Sequence, residues 1–174
     1  LLLSYYDVYG RDLPWRRDGS PYAVWLSEIM LQQTRVETVL SYYARFLSRW
    51  PRVEDLAAAS EDDVLKMWEG LGYYARARNL HKGSRAIAAR GVFPQTVEEL
   101  RKIPGIGPYT AGAIASICFG ARVPAVDANA LRVLSRICVL NEDAASPALK
   151  KRVTELISSI LPARAGDFNQ ALMD

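Results

Sequence analysis

Leu100-Arg101-Lys102-Ile103-Pro104-Gly105-Ile106-Gly107-Pro108-Tyr109-Thr110-Ala111-Gly112 spells a helix, a hairpin and a helix. Gly105 and Gly107 leave the backbone bare, so it can turn sharply and approach another molecule closely. Pro108 suits the first turn of the following helix. The free N–H groups of that helix, and the positive end of its dipole, then point outward from the hairpin. That makes a phosphate site that needs no side-chain charge. A generic Gly-x-Gly is more often a turn that only packs, but the length of this string favours a DNA-binding helix-hairpin-helix. Such a hairpin holds the DNA backbone and reads no sequence.

Outward from the hairpin the pattern is helical. Apolar residues recur at three- and four-residue spacing through Val24, Ile29, Met30, Val36, Val39 and Leu40, and again through Val64, Leu65, Met67 and Trp68. No alternating strand and no Asn-Gly or Asp-Gly hairpin appears. Ser60 with Asp63, and Thr96 with Glu99, read as capping boxes, and Ser146-Pro147 reads as an N-cap followed by proline. Breaks fall at Pro14, Gly19–Pro21, Trp50-Pro51, Gly70–Gly72, Gly91–Pro94, Pro104–Pro108, Arg122–Pro124 and Pro162–Gly166. About ten short helices are predicted, giving an all-α globule with tight connections.

The chain has 174 residues, half of them hydrophobic and 24% charged, which is enough for a real core and excludes an intrinsically disordered chain. No apolar run approaches the roughly 18–20 residues of a membrane span. Residues 1–7 lack the basic region and cleavage site of a signal peptide. Two cysteines, Cys118 and Cys138, supply neither a disulfide scaffold nor a four-thiolate metal site. Both read as core thiols, and the expected compartment is reducing and intracellular. The net charge is only +3, yet seventeen of the 22 basic residues are arginine, the side chain best shaped for phosphate. Arg76, Arg78 and Arg85 fit a basic face, Lys102 a phosphate contact, and His81 a surface or DNA-facing position.

Two acids stand in unusual company. Glu28 lies among Trp25, Leu26, Ile29, Met30 and Leu31. Desolvation there favours the neutral acid and suits a proton donor near pH 7. Asp127 follows an apolar stretch and opens a helix from about Ala128 to Leu140. The plainer accounts are a surface acid for Glu28 and an N-cap for Asp127. Their joint presence around a DNA-binding hairpin favours catalysis.

These segments together resemble the helix-hairpin-helix DNA glycosylase superfamily and, within it, the adenine DNA glycosylases of the MutY type. Leu13-Pro14-Trp15-Arg16, Trp25-Leu26-Ser27-Glu28-Ile29-Met30-Leu31-Gln32-Gln33-Thr34, Gly70-Leu71-Gly72-Tyr73-Tyr74, Pro104 to Gly112, Val126-Asp127-Ala128-Asn129 and Asp167-Phe168-Asn169-Gln170-Ala171 fit in order across nearly the whole chain. Leu-Gln-Gln-Thr is the most discriminating of them. The resemblance implies an all-α fold of two helical lobes with the active-site cleft between them. Residues 21–126 would carry the hairpin in a six-helix lobe, and residues 1–20 with 127–174 would form the second.

The resemblance also implies removal of adenine mispaired with 8-oxoguanine or guanine in double-stranded DNA. Glu28 would protonate the adenine, and Asp127 would stabilise the developing sugar cation, the two-carboxylate logic of glycoside cleavage. Asn129 would orient the site, and Tyr109 would touch Glu28 or the sugar. Trp15, Arg16 and Gln170 would line the adenine pocket. Gln33 and Tyr73 would enter the base stack when adenine is flipped out. Thr34, Arg76, Gly105, Gly107 and Thr110 complete the DNA-binding set. In the related endonuclease III enzymes a lysine near the hairpin attacks the sugar. Tyr109 holds that place here, and a phenol forms no Schiff base, so a monofunctional enzyme is expected.

The family usually writes Asp-Gly-Asn where this chain has Asp127-Ala128-Asn129, so the turn must run without comfortable positive φ. Members carry four cysteines for a [4Fe-4S] cluster, and that cluster is expected beyond Asp174, as is a C-terminal domain that helps recognise 8-oxoguanine. The chain therefore reads as a fragment, with a cluster-free variant as the alternative. It is expected to be a monomer, in the cytoplasm or nucleoid of a bacterium or the nucleus or mitochondrion of a eukaryote. The rival readings are an endonuclease III-like pyrimidine glycosylase and a non-catalytic hairpin module.

Overall fold

A computed structural model describes residues 1–143 and 145–174. Twelve helices and no strand occur among the described residues. They are α1 (Leu2–Tyr9), α2 (Pro14–Asp18), α3 (Pro21–Leu31), α4 (Val36–Arg49), α5 (Val53–Ala58), α6 (Glu61–Trp68), α7 (Tyr74–Arg90), α8 (Val97–Leu100), α9 (Pro108–Phe119), α10 (Ala128–Ile137), α11 (Pro147–Ile160) and α12 (Ala165–Met173). The N-caps form, with the Ser60, Thr96 and Ser146 hydroxyls accepting from the backbone N–H groups of Asp63, Glu99 and Leu149. At Ser60 the expected box does not close, since the Asp63 carboxylate accepts from the Ser60 hydroxyl instead of the N-cap N–H. The expected break at Pro162–Gly166 closes two residues early, since α12 already begins at Ala165.

α10 ends at Ile137 rather than near Leu140. Its end has the Schellman pattern, with the Leu140 N–H donating to the Ser135 carbonyl at 2.9 Å across Val139, which sits at φ 50°. No glycine signals that turn. Cys138, expected in the core, therefore sits exposed at the C-cap of α10. His81 is buried, 3% exposed, with Nε2 3.0 Å from the Ala59 carbonyl. The surface reading of His81 fails because α5 packs closely along α7 and covers it.

Two hydrophobic cores form. The first gathers residues from Leu13 to Ala115 around α3 and α9. Every residue of α3 from Tyr22 to Met30 is buried, so this helix has no solvent face and runs through the centre. The second core joins Val126, Ala130 and Leu134 to Leu149, Val153, Ile157, Leu161, Ala165 and Leu172, with Leu2 against it. α12 lies on α9 and on α1, which links the two cores. Asn169, fully buried, fastens this junction. Its Oδ1 accepts from the Ala125 N–H at 3.2 Å, and its Nδ2 donates to Ser116 Oγ at 2.9 Å and the Val123 carbonyl at 3.0 Å. At Gly112 a Cβ would stand 2.4 Å from the Pro124 carbonyl, so only glycine lets the segment leading to Asp127 cross α9 here.

Candidate active site

A cavity of about 1060 Å³ opens between the two cores. Glu28 enters it from α3, Tyr109 from α9, Asp127 and Asn129 from the start of α10, Trp15 and Arg16 from α2, and Gln170 from α12. Gln33, Thr34 and Tyr73 stand at its rim with Arg76 behind them. The fold thus gathers residues more than 150 positions apart around one space.

Glu28 is only 8% exposed, which removes the surface-acid account. Burial pushes its carboxyl up to about 7. The Asp127 charge pushes it further, while hydrogen bonding to Tyr109 and the Arg16 charge pull the other way. A carboxyl in this state is still half protonated at neutral pH. Burial, then the charge and hydrogen bond of Glu28, raise the Tyr109 phenol far above its usual range, so it stays a neutral hydroxyl. That hydroxyl lies 3.0 Å from the Met173 sulfur.

Asp127 is both N-cap and cavity wall. Its Oδ1 accepts from the Ala130 N–H at 2.7 Å, and its Oδ2 accepts from Asn129 Nδ2 at 2.9 Å. Asn129 Oδ1 accepts from Arg132 at 2.8 Å, which fixes the amide so that its N–H side faces the carboxylate. Ala128 enters α10 as its first helical residue without positive φ, so the Asp-Ala-Asn sequence is no obstacle. Trp15 is buried, edge-on to Tyr43 with ring centroids 5.2 Å apart. Arg16 makes two 2.9 Å bonds to the Asp174 carboxylate and a third to the Arg11 carbonyl. Asp174 and Met173 escaped the sequence reading, and Asn169 entered it only within the Asp167–Ala171 segment, with no role of its own. Their spacing matches nothing but an ordinary helix end, and their partners lie far away in the chain.

The hairpin glycines lie outside the cavity. Gly105 has φ 82°, and a Cβ there would stand 2.9 Å from that of Asn79, so the fold itself demands glycine. Gly107, the N-cap of α9, has φ −82° and open space where a Cβ would go. Nothing within the protein requires glycine there, which suits the approach of an outside molecule. Thr110 does not face that surface: it is 2% exposed, on the inward side of α9. Arg76 is no part of an exposed basic face either, for its guanidinium turns onto backbone carbonyls beside the cavity. Arg78 pairs with Glu61 at 3.4 Å on the surface.

Among the described residues no group of three or more His, Cys, Asp or Glu is placed to hold a metal ion. Cys118 is half-buried, its thiol pushed up to about 12 by burial, and Cys138 is exposed on another element. This pair does not fit a four-thiolate cluster. No described helix is long and apolar enough to cross a membrane.

Residues 26–159 match the family described as HhH-GPD superfamily base excision DNA repair protein. The adenine DNA glycosylase of Homo sapiens is 47% identical over 185 residues, covering 99% of this chain and 34% of that protein. The adenine DNA glycosylase of Buchnera aphidicola subsp. Baizongia pistaciae is 42% identical, covering 99% of this chain and 50% of that protein. The chain thus spans about a third to a half of the length of these curated relatives. A thermostable thymine-DNA glycosylase superposes with a TM-score of 0.87 at 28% identity, over 99% of this chain and 81% of that one. An endonuclease III–DNA covalent intermediate superposes at 0.80 with 21% identity, a likeness of fold, over 99% of this chain and 79% of that one. With the family match running through the hairpin and both acids, this all-α chain belongs to the HhH-GPD superfamily of base excision DNA repair proteins.

Proposed function

We propose that the chain carries the catalytic machinery of a monofunctional adenine DNA glycosylase acting on duplex DNA in which adenine is mispaired with 8-oxoguanine or guanine. The observation that supports this most is the pairing of Glu28, buried and poised near 7, with Asp127 across one cavity. The relatives named above supply the base. In the proposed reaction Glu28 gives its proton to a ring nitrogen of the flipped adenine. The N-glycosidic bond then breaks, and both of its electrons leave with the base. The Asp127 carboxylate stabilises the sugar cation that remains. Water adds to the sugar carbon, and the emptied Glu28 carboxylate takes up the released proton. Tyr109, a neutral phenol beside Glu28, offers no amine to attack the sugar, so the strand stays whole.

Trp15, Arg16 and Gln170 form the proposed base pocket, with Arg16 braced by Asp174. The hairpin at Gly105 and Gly107 takes the backbone phosphates, and Gln33 and Tyr73 fill the gap in the stack. A single-turnover assay on a duplex with one adenine opposite 8-oxoguanine tests this, with half of each sample treated with hot alkali. Breaks after alkali alone are expected. Breaks without alkali would refute the monofunctional reading, and intact strands in both halves would refute excision by this chain.

A further inference from the structure

Arg76 holds two separate segments at once. From α7, its Nη1 donates to the carbonyls of Ile29 at 3.1 Å, Met30 at 2.9 Å and Gln32. Its Nη2 reaches Thr34 Oγ1 at 3.2 Å and the carbonyls of Leu71 at 3.1 Å and Gly72 at 3.3 Å. The guanidinium carbon lies 5.4 Å from the ring centroids of both Trp68 and Tyr73.

Two of those carbonyls have a special place. Gln32 precedes Gln33, at φ 57°, and Gly72 precedes Tyr73, at φ 49°. These are two of the three non-glycine described residues with positive φ, and both stand at the cavity rim. A side-chain-bearing residue resists this left-handed backbone by a factor of about ten. The orientation of the peptide entering a residue sets its φ, so holding the preceding carbonyl holds the conformation. Trp68 Nε1 assists at the Gly72 carbonyl, at 2.9 Å, but among the described residues only Arg76 bonds carbonyls in both segments.

We propose that Arg76 is a positioning residue. Its guanidinium locks the turn after α3 and the turn before α7 into left-handed backbone together, so that Gln33 and Tyr73 form one preformed wedge. What the wedge enters rests on the proposed function, while the lock is a property of the free protein. The role needs a planar fork reaching both sides, which a single ammonium does not supply.

The test compares the wild-type chain with R76K and R76M. In the free proteins, amide hydrogen exchange in R76M is expected to rise about tenfold in both 31–35 and 71–75, with α9 unchanged. A rise in one segment alone, in neither, or equally in α9 would overturn the lock. The second arm uses a duplex with 2-aminopurine in place of the target adenine. The wild type is expected to brighten it as the base leaves the stack. R76M is expected to lose most of that signal, and R76K part of it, while duplex affinity stays within about threefold. Full brightening by R76M would overturn the proposal. If the wild type itself gives no signal, the proposed function fails, and the exchange arm alone decides the lock.

Discussion

Replacing Glu28 by glutamine should make the protein more stable and inactive, and the pH dependence of the gain follows from the structure. Burial raises the Glu28 carboxyl from 4.5 to about 7 on folding. Between those values the unfolded chain binds fewer protons at this position than the folded one. Wild-type stability therefore falls as pH rises through the window and levels off above it. The loss is about 1 kcal/mol at pH 5 and about 3 kcal/mol at pH 8. The replacement amide fills the same space as the carboxyl and does not ionise, so Glu28→Gln should escape the loss, and other titrating groups cancel in the comparison. At pH 8 the variant should melt roughly 6–12 °C higher, at about 2–4 °C per kcal/mol for a domain of this size. Urea unfolding of both proteins at pH 5 and pH 8, followed by circular dichroism, measures this. Excision should fall by about 10²–10⁴-fold in the variant, and wild-type excision should decline as pH rises through 7. A stability difference that is the same at both pH values would refute the reasoning, because Glu28 would then not be a desolvated acid.

Asp127→Asn keeps the helix cap, since asparagine caps as well as aspartate, and should lower excision at least about a hundredfold while DNA affinity changes little. Affinity measured by anisotropy that collapses along with activity would make Asp127 structural. Gly107→Ala should leave stability within about 0.5 kcal/mol of wild type, because no atom of the protein beyond its chain neighbours lies within 4 Å of that Cβ, yet weaken duplex binding several-fold under the proposed hairpin–phosphate contact. Gly105→Ala should lose both, by at least about 1–2 kcal/mol in stability, given its φ of 82° and the clash with Asn79. Equal behaviour of the two glycine variants in paired melting and binding titrations would contradict this. Asn169→Leu should cost about 2–4 kcal/mol in urea unfolding by stranding the Ala125 N–H and Val123 carbonyl; a loss under about 0.5 kcal/mol would mean that water replaces the side chain.

The helices are legible because their causes are local, whereas the cleft, which joins residues more than 150 positions apart, is legible only through the family resemblance. Caps at Ser60, Thr96 and Ser146 and prolines at Pro21, Pro108 and Pro147 mark helix starts by residue type alone. Glu28 stood out as a charge in an apolar run. The left-handed residues Gln33, Tyr73 and Val139 are not legible, since none is glycine or asparagine: Val139 sits in a Schellman turn with no glycine to signal it, and Arg76 holds the carbonyls that precede Gln33 and Tyr73. By sequence Arg76 groups with Arg78 and Arg85 as one basic face, but only Arg78 and Arg85 are exposed. Its carbonyl partners Ile29, Met30 and Gln32 lie 44–47 positions earlier. His81 faces inward for the same kind of reason, a helix packed over it that its own sequence does not announce.

The Arg11, Arg16 and Asp174 cluster sets a clock on biosynthesis. Asp174 bonds Arg11 and Arg16 across separations of 163 and 158 residues. At about 5–20 residues per second, a ribosome needs on the order of ten to thirty seconds between making Arg16 and making its anchor. During that interval the hairpin and Glu28 are already synthesised, but Arg16 has no Asp174 to hold it against the cavity wall. In chain order, then, the hairpin is complete well before Arg16 gains the carboxylate that braces it.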